Sequence, residues 1–299
     1  MSRRRLLWQV LTLVLILLAI WILLPLFRAV VMVEPAPFHS APRAPSGLPG
    51  AAVSFHATDG TKLAGRLIMA SSYAPTIVLV DGFKADSSTM VPYARFLHRA
   101  GFNALLYDSR GTGGSVGLFT VGARGADDVE GAIAFLRANK RVRNRRLGLL
   151  GVSMGAGVVI DAASRDRAVL ATVADSAYVD QSAVIQHLQH LQLGKADLPL
   201  APIALWTVDT MTNSRIESFR PIDLVARIAP RALFLIHSRH DTNVTTPLGG
   251  ARRLFAAAGR PKAFWIAPRG DHAAARAAQP GVYARRVIAF FRRYLGRPS

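Results

Sequence analysis

Five residues, Gly151-Val152-Ser153-Met154-Gly155, stand between a short apolar run and an alanine- and valine-rich stretch. A Gly-x-Ser-x-Gly that follows a strand and opens a helix forces a sharp turn, which lifts the serine hydroxyl above the end of a sheet. Glycine is needed on both flanks because a side chain there would strike the neighbouring strand or helix. Arg146 to Leu150 reads as a buried strand, and Gly155 to Ala163 as the helix packed on it. The pattern asks for an α/β layered fold with a nucleophilic serine at its edge. Gly113-Gly114-Ser115-Val116-Gly117 fits the same spacing, and in a chain with 24 glycines spacing alone decides little. Ser115 has no apolar strand before it and no helical pattern after it, so it reads as a loop residue.

Short apolar strands alternate with helices through most of the chain. Val53 to Ala57 and Lys62 to Met69 form a hairpin around Asp59-Gly60, a favoured turn pair. Further strands are expected at Thr76 to Val80, Ala104 to Tyr107, Val169 to Ala174, Arg231 to His237 and Ala263 to Ala267. Helices are expected at Ser88 to Ala100 and Val282 to Leu295, with Asp127 capping another that runs to Asn139. This alternation implies a mostly parallel sheet covered on both faces. More than fifty residues separate Ala174 from Arg231, too many for a plain loop. They are read as a small helical cap, about 177–220, that shapes a substrate pocket.

Leu6 to Phe27 carries no charge. As a helix its 22 residues would extend about 33 Å, enough to cross a bilayer core. The run is longer than the core of a secretory signal and lacks a clear Ala-x-Ala after it. Residues 1–33 are therefore expected to be one uncleaved transmembrane anchor. Arg3, Arg4 and Arg5 precede it, which puts the N-terminus in the cytoplasm and the folded domain on the extracytoplasmic side of the inner membrane. Residues 34–51 hold five prolines and read as an extended linker, leaving 52–299 for the domain. The net charge of +19, mostly arginine, suits an anionic lipid surface. No zinc-ligand spacing or aromatic RNA-binding motif accompanies the basic clusters, so nucleic acid is not an expected partner. Without cysteine there are no disulfides and no thiolate metal sites.

A serine oxygen needs a base to take its proton and a carboxylate to hold that base. On such a sheet the three occur in the order Ser, acid, His. After Ser153, His272 in Arg269-Gly270-Asp271-His272 follows the last strand and is the expected base. Asp241, just past the strand ending near His237, is the expected acid, with Asp175 its rival. Asp271 adjoins His272 and is expected to point away. Two backbone N–H groups should face the developing oxyanion, one from Met154 and one from Phe83, with Lys84 the alternative to Phe83. No metal or cofactor is expected.

These residues resemble those of the α/β-hydrolase superfamily, in particular bacterial serine hydrolases related to dienelactone hydrolases and acyl-peptide peptidases. The resemblance covers about residues 52 to 296. It rests on Asp59-Gly60, Asp108-Ser109-Arg110-Gly111 with Gly113-Gly114-Ser115, the Ser153 turn, Pro221-Ile222-Asp223, His237 to Val244, and Gly270-Asp271-His272. It implies the α/β-hydrolase fold with an eight-stranded sheet, a Ser–His–Asp triad and no cofactor. Two positions depart from the family pattern: Asp81-Gly82 stands where His-Gly is usual, and His237-Ser238 where His-Gly is common. A carboxylate at Asp81 is tolerable only if it points away or is neutralised, for which Lys84 is the nearby candidate. The expected function is cleavage of a carboxylic ester or thioester with a small-molecule or lipid-like acyl part. A serine peptidase or amidase, and an inactive membrane-tethered binding protein, are the alternatives.

Overall fold

The computed structural model describes residues 3–36, 48–189, 191–193, 196–198 and 200–296. Most of the expected proline-rich linker therefore lies outside the described residues. The elements, in order, are α1 (Arg3–Val33), β1 (Gly50–His56), β2 (Lys62–Ile68), β3 (Thr76–Val80), α2 (Val91–Arg99), β4 (Asn103–Tyr107), α3 (Gly125–Ala138), β5 (Leu147–Val152), α4 (Met154–Arg165) and β6 (Val169–Asp175). They continue with α5 (Gln181–Leu188), β7 (Leu191–Leu193), β8 (Ala196–Leu198), α6 (Ala201–Thr212), α7 (Pro221–Leu224), β9 (Ala232–Ser238), α8 (Leu248–Ala257), β10 (Lys262–Ala267), α9 (Ala275–Ala278) and α10 (Pro280–Leu295).

Eight strands form one sheet in the order β1-β2-β4-β3-β5-β6-β9-β10. The β1–β2 and β2–β4 pairs are antiparallel, and the remaining pairs are parallel. Every residue of β3, β4, β5 and β9 is buried, which is why these segments read as unbroken apolar runs. One face is covered by α3, α4 and α8, through residues such as Val129, Ile133, Val159 and Leu254. The other face is covered by α2 and α10, through Tyr93, Leu97, Tyr283, Val287 and Phe291. Parallel register brings the carboxyl ends of four strands to one edge: Val80 pairs with Gly151, Val152 with Asp175, and Asp175 with Ile236.

The first hairpin is pinned to the sheet by charge. Arg110, after β4, reaches Asp59 at 2.6 Å and Asp128 of α3 at 2.6 Å, with Asp128 almost wholly buried. Asp127 does not cap α3 as the sequence suggested. The helix starts two residues earlier, at Gly125, so Asp127 falls inside its first turn and pairs with Arg124 at 2.8 Å.

Between β6 and β9 lie α5, a two-stranded antiparallel ribbon (β7, β8) and α6. The ribbon was not legible in the sequence. The N-terminal helix α1 is long and apolar enough to cross a membrane by length and composition. Its last turns pack on α6: Ala29 and Val33 share an apolar cluster with Ala204, Leu205 and Val208.

Candidate active site

The turn between β5 and α4 holds Ser153 at φ 55° and ψ −116°, a region that a serine adopts only under local constraint. The flanking glycines supply that constraint. A Cβ on Gly151 would lie 2.1 Å from the Gly155 carbonyl oxygen, and one on Gly155 would lie 2.3 Å from that of Asp81. The amide of Ser153 donates to the Asp175 carbonyl at 2.8 Å, which ties the turn to β6.

Ser153 Oγ lies 2.8 Å from Nε2 of His272, on the loop after β10. Nδ1 of the same ring lies 2.9 Å from Oδ2 of Asp241, on the loop after β9. The Asp241 side chain is fully buried, while that of His272 is 22% exposed. The structure thus brings together the three side chains the sequence singled out, each from the end of a different strand. Thr246, which sequence reasoning missed, places Oγ1 3.0 Å from His272 Nδ1 and 3.3 Å from Asp241 Oδ2. His237 lies on the other side of the acid, with Nε2 3.2 Å from Asp241 Oδ2 and its side chain fully buried. Burial pushes its pKa down, so it is uncharged at neutral pH.

Asp271 points away from the histidine ring, and it has a task there. Its carboxylate accepts from Thr242 N at 2.8 Å, from Thr242 Oγ1 at 2.9 Å and from His272 N at 2.7 Å. The clip joins the loop of the acid to the loop of the base. Its backbone partner Thr242 holds the Asp271 pKa below the ordinary value. Asp175 is fully buried and accepts from Ser176 Oγ at 3.0 Å, so the contact to His272 Nδ1 belongs to Asp241. Burial pushes the Asp175 carboxyl up to about 6.

The loop after β3 passes beside the serine: a Cβ on Gly82 would be 3.7 Å from Ser153 Cβ. Asp81 is fully buried and turned toward Ser109, whose Oγ donates to Oδ1 at 2.6 Å. Burial raises its pKa well above the ordinary carboxylate value, which favours the uncharged form. Lys84 plays no part in this. Its Nζ donates instead to the Val31 carbonyl at 2.9 Å, in the last turn of α1. Phe83 meets Phe119 edge-on, with ring centroids 5.1 Å apart. Met154 N is the first amide of α4 and has no acceptor within its helix.

Ser115 is consumed by structure. Its Oγ donates to the Asp108 carbonyl at 2.6 Å and accepts from Ala64 N at 2.9 Å. Above Ser153 lies a cavity of about 310 Å³, walled by Phe83, Met154, Tyr178, Val184 and Leu188. Its described lining residues include no carboxylate.

The chain is similar in sequence and fold to several known proteins. The sequence profile of the X-Pro dipeptidyl-peptidase (S15 family) matches residues 58–197. The esterase Pf2001 of Pyrococcus furiosus superposes with a TM-score of 0.70 and 24% identity, covering 89% of this chain and 99% of that one. The chain has the α/β-hydrolase fold. GrgF of Penicillium sp. shares the fold at a TM-score of 0.69 and 21% identity, over 83% of this chain and 99% of that one. The uncharacterized protein YfhR of Escherichia coli is 28% identical over 247 residues, 80% of this chain and 79% of its own length. The thiohydrolase aneE of Aspergillus aculeatus is 32% identical over 121 residues, 39% of this chain and 38% of its own length. This chain thus spans well under half of that fungal relative.

Proposed function

We propose that this hydrolase cleaves a carboxylic ester or thioester through an acyl-enzyme on Ser153. The observation that carries the reading is the unbroken series from Ser153 Oγ through His272 to Asp241, at 2.8 and 2.9 Å, opening on an apolar cavity. His272 Nε2 takes the serine proton as Oγ attacks the carbonyl carbon. Asp241 accepts from Nδ1–H, which fixes the tautomer and stabilises the imidazolium. The amides of Met154 and Phe83 hold the oxyanion, each worth roughly 3–4 kcal/mol. Collapse expels the alcohol or thiol, which receives the proton from His272. Water, deprotonated by the same histidine, then releases the acid.

Asp81 does not oppose this. Its carboxyl is held by Ser109, and burial disfavours its charged form, which limits negative charge beside the oxyanion. The names of the relatives, an esterase and a thiohydrolase, support an oxygen or sulfur leaving group. The S15 match favours a peptidase as the second reading. A dipeptidyl-peptidase must seat a substrate ammonium, and a buried cation requires a counter-charge. No described lining residue supplies one.

Fluorophosphonate labelling of the full-length protein in detergent tests the reading. The full chain is used because α1 packs on the cap. Wild type and Ser115→Ala should label, and Ser153→Ala should not. Labelling that persists in Ser153→Ala, or is absent from the folded wild type, sinks the proposal. A panel of esters, thioesters and peptides then ranks the leaving groups.

A further inference from the structure

The N-terminal helix packs against residues that wall the cavity above Ser153. From Trp21 to Val33, the less exposed positions are Trp21, Leu24, Pro25, Arg28, Ala29, Val30, Met32 and Val33, and all but Val30 form a stripe with helical spacing. Three contacts join the end of this stripe to the cavity. Arg28 Nη2 donates to the carbonyl of Leu188, a wall residue. Lys84, next to the wall residue Phe83, caps the Val31 carbonyl. Met154, also in the wall, packs in one cluster with Ala29 and Val33. Phe83 and Leu188 are 42% and 37% exposed, so the apolar rim is open beside these turns.

Helix length then fixes the depth. Counted from Leu6, the first residue after the arginines, about 20 residues fill a 30 Å hydrocarbon core and end at Pro25. The headgroup layer, roughly 5–7 Å more, reaches to about residue 29. The half-buried stripe begins at Trp21, inside that span, and Arg28, bonded to the cap, lies at headgroup level. Tilt would only draw the docked turns deeper.

The cap helix α6 runs in the same sense as α1, with its C-terminal end beside the end of α1. Its C-terminal end is held by Arg124, which donates to the Asn213 carbonyl at 3.4 Å. Close by in the same segment, Phe119 N donates to the Val33 carbonyl at 2.9 Å. Since α6 packs along α1, its N-terminal end, Ala201-Pro202-Ile203, lies at the membrane end of the stripe.

We propose that the docked helix seats the cap and the mouth of the cavity in the headgroup layer of the host membrane. The substrate is then an acyl ester whose chain resides in that leaflet and enters the cavity past Leu188 and Phe83. The substrate class rests on the ester-hydrolase reading above, while the seat on the membrane does not. The net charge of +19 suits contact with anionic headgroups.

The chain contains no cysteine, so single cysteines report position without background. Full-length Pro202→Cys and Met211→Cys carry an NBD fluorophore in vesicles of zwitterionic and anionic phospholipid containing spin-labelled lipid. Both positions are exposed, and they lie nine residues apart on one helix, about 13 Å. The expected result is strong quenching at 202 and weak quenching at 211. In parallel, Pro202→Glu/Trp206→Glu is assayed on a short water-soluble ester and on a long-chain fluorogenic ester dissolved in the bilayer. Turnover of the bilayer ester should fall on the order of tenfold, since each acidic residue is repelled by the anionic surface. Turnover of the soluble ester should stay within twofold, which also shows that the variant folds. Equal, weak quenching at both positions overturns the proposal, as does a variant that loses neither activity or both equally. If neither ester is cleaved by wild type, the ester reading falls and takes the substrate class with it, whatever the probes show.

Discussion

Gly155→Ala is the sharpest test of how the serine turn is held. The new Cβ would lie 2.3 Å from the Asp81 carbonyl oxygen and 2.4 Å from that of Val80. Carbon–oxygen contacts in proteins close at about 3.3–3.6 Å, so one partner must move by about 1 Å. Neither partner is a flexible side chain. One is the end of β3, which leads into Gly82 and Phe83, and the other is the first turn of α4, which carries Ser153. Overpacking of this kind costs about 1–3 kcal/mol, and two rigid backbone contacts put the cost near 3. For a domain of this size that lowers Tm by roughly 6–12 °C. A displacement of about 1 Å between nucleophile and oxyanion donor lowers kcat on the order of a hundredfold. The assay pairs thermal unfolding in detergent with short-ester turnover well below Tm. Gly249→Ala is the control, because nothing lies within 4 Å of its added Cβ. Being in α8, it should gain up to about 1 kcal/mol from helix propensity and keep full activity. A Gly155→Ala protein with unchanged Tm and turnover would refute the claim that contact with β3 sets the turn.

Two further substitutions separate acids by their environment. Asp175, pushed up to about 6 by burial, disfavours the folded state as pH rises from about 4 through 6, because the folded form binds the proton more tightly. Asp175→Asn should therefore stabilise the protein at pH 7, by on the order of 3 kcal/mol at most, with little change at pH 4. It should also spare turnover, whereas Asp241→Asn should lose it. A Tm gain that is equal at both pH values would contradict the burial argument. Asp81→Asn keeps an acceptor for Ser109 and removes a carboxyl whose charged form burial disfavours. Turnover there should stay within about threefold. Wild type loses stability as pH climbs above the ordinary carboxylate range and the variant does not, so the Tm difference should widen in the variant's favour toward pH 9. A constant difference from pH 5 to pH 9 counts against a raised Asp81 pKa.

The parts of this molecule that were legible in its sequence are those governed by local pattern. β3 runs over Thr76–Val80, as its apolar run and flanks indicate, and the elbow occupies its expected place between β5 and α4. Chain order alone singled out Asp241 and His272, and the structure puts their side chains in contact with each other and with Ser153. Contacts closed across loops left no such trace. Thr246 and the Thr242–Asp271 clip join residues far apart in the chain, and threonine in a loop carries no distinguishing pattern. α8 escaped notice because Gly249-Gly250 reads as a turn rather than a helix start. The docking of α1 on α6 was hidden for a physical reason. Both segments are apolar nearly all round, so hydropathy cannot tell a side facing lipid from a side facing protein. Lys84 was misjudged similarly: proximity in sequence suggested Asp81, but the unpaired carbonyls of a helix end offer a better partner for an ammonium.

Strand order carries a consequence for how the molecule comes to life during synthesis. Ser153 follows a central strand, but His272 hangs from β10, the outermost strand on its edge and the last to leave the ribosome. Until β10 pairs with β9, the serine has its strained turn yet no partner for its proton. By then α1 has long since emerged and is free to enter the bilayer. On the proposed triad, Ser153 therefore gains its base only once β10 has paired with β9, so labelling at Ser153 would report closure of the sheet rather than mere presence of the protein.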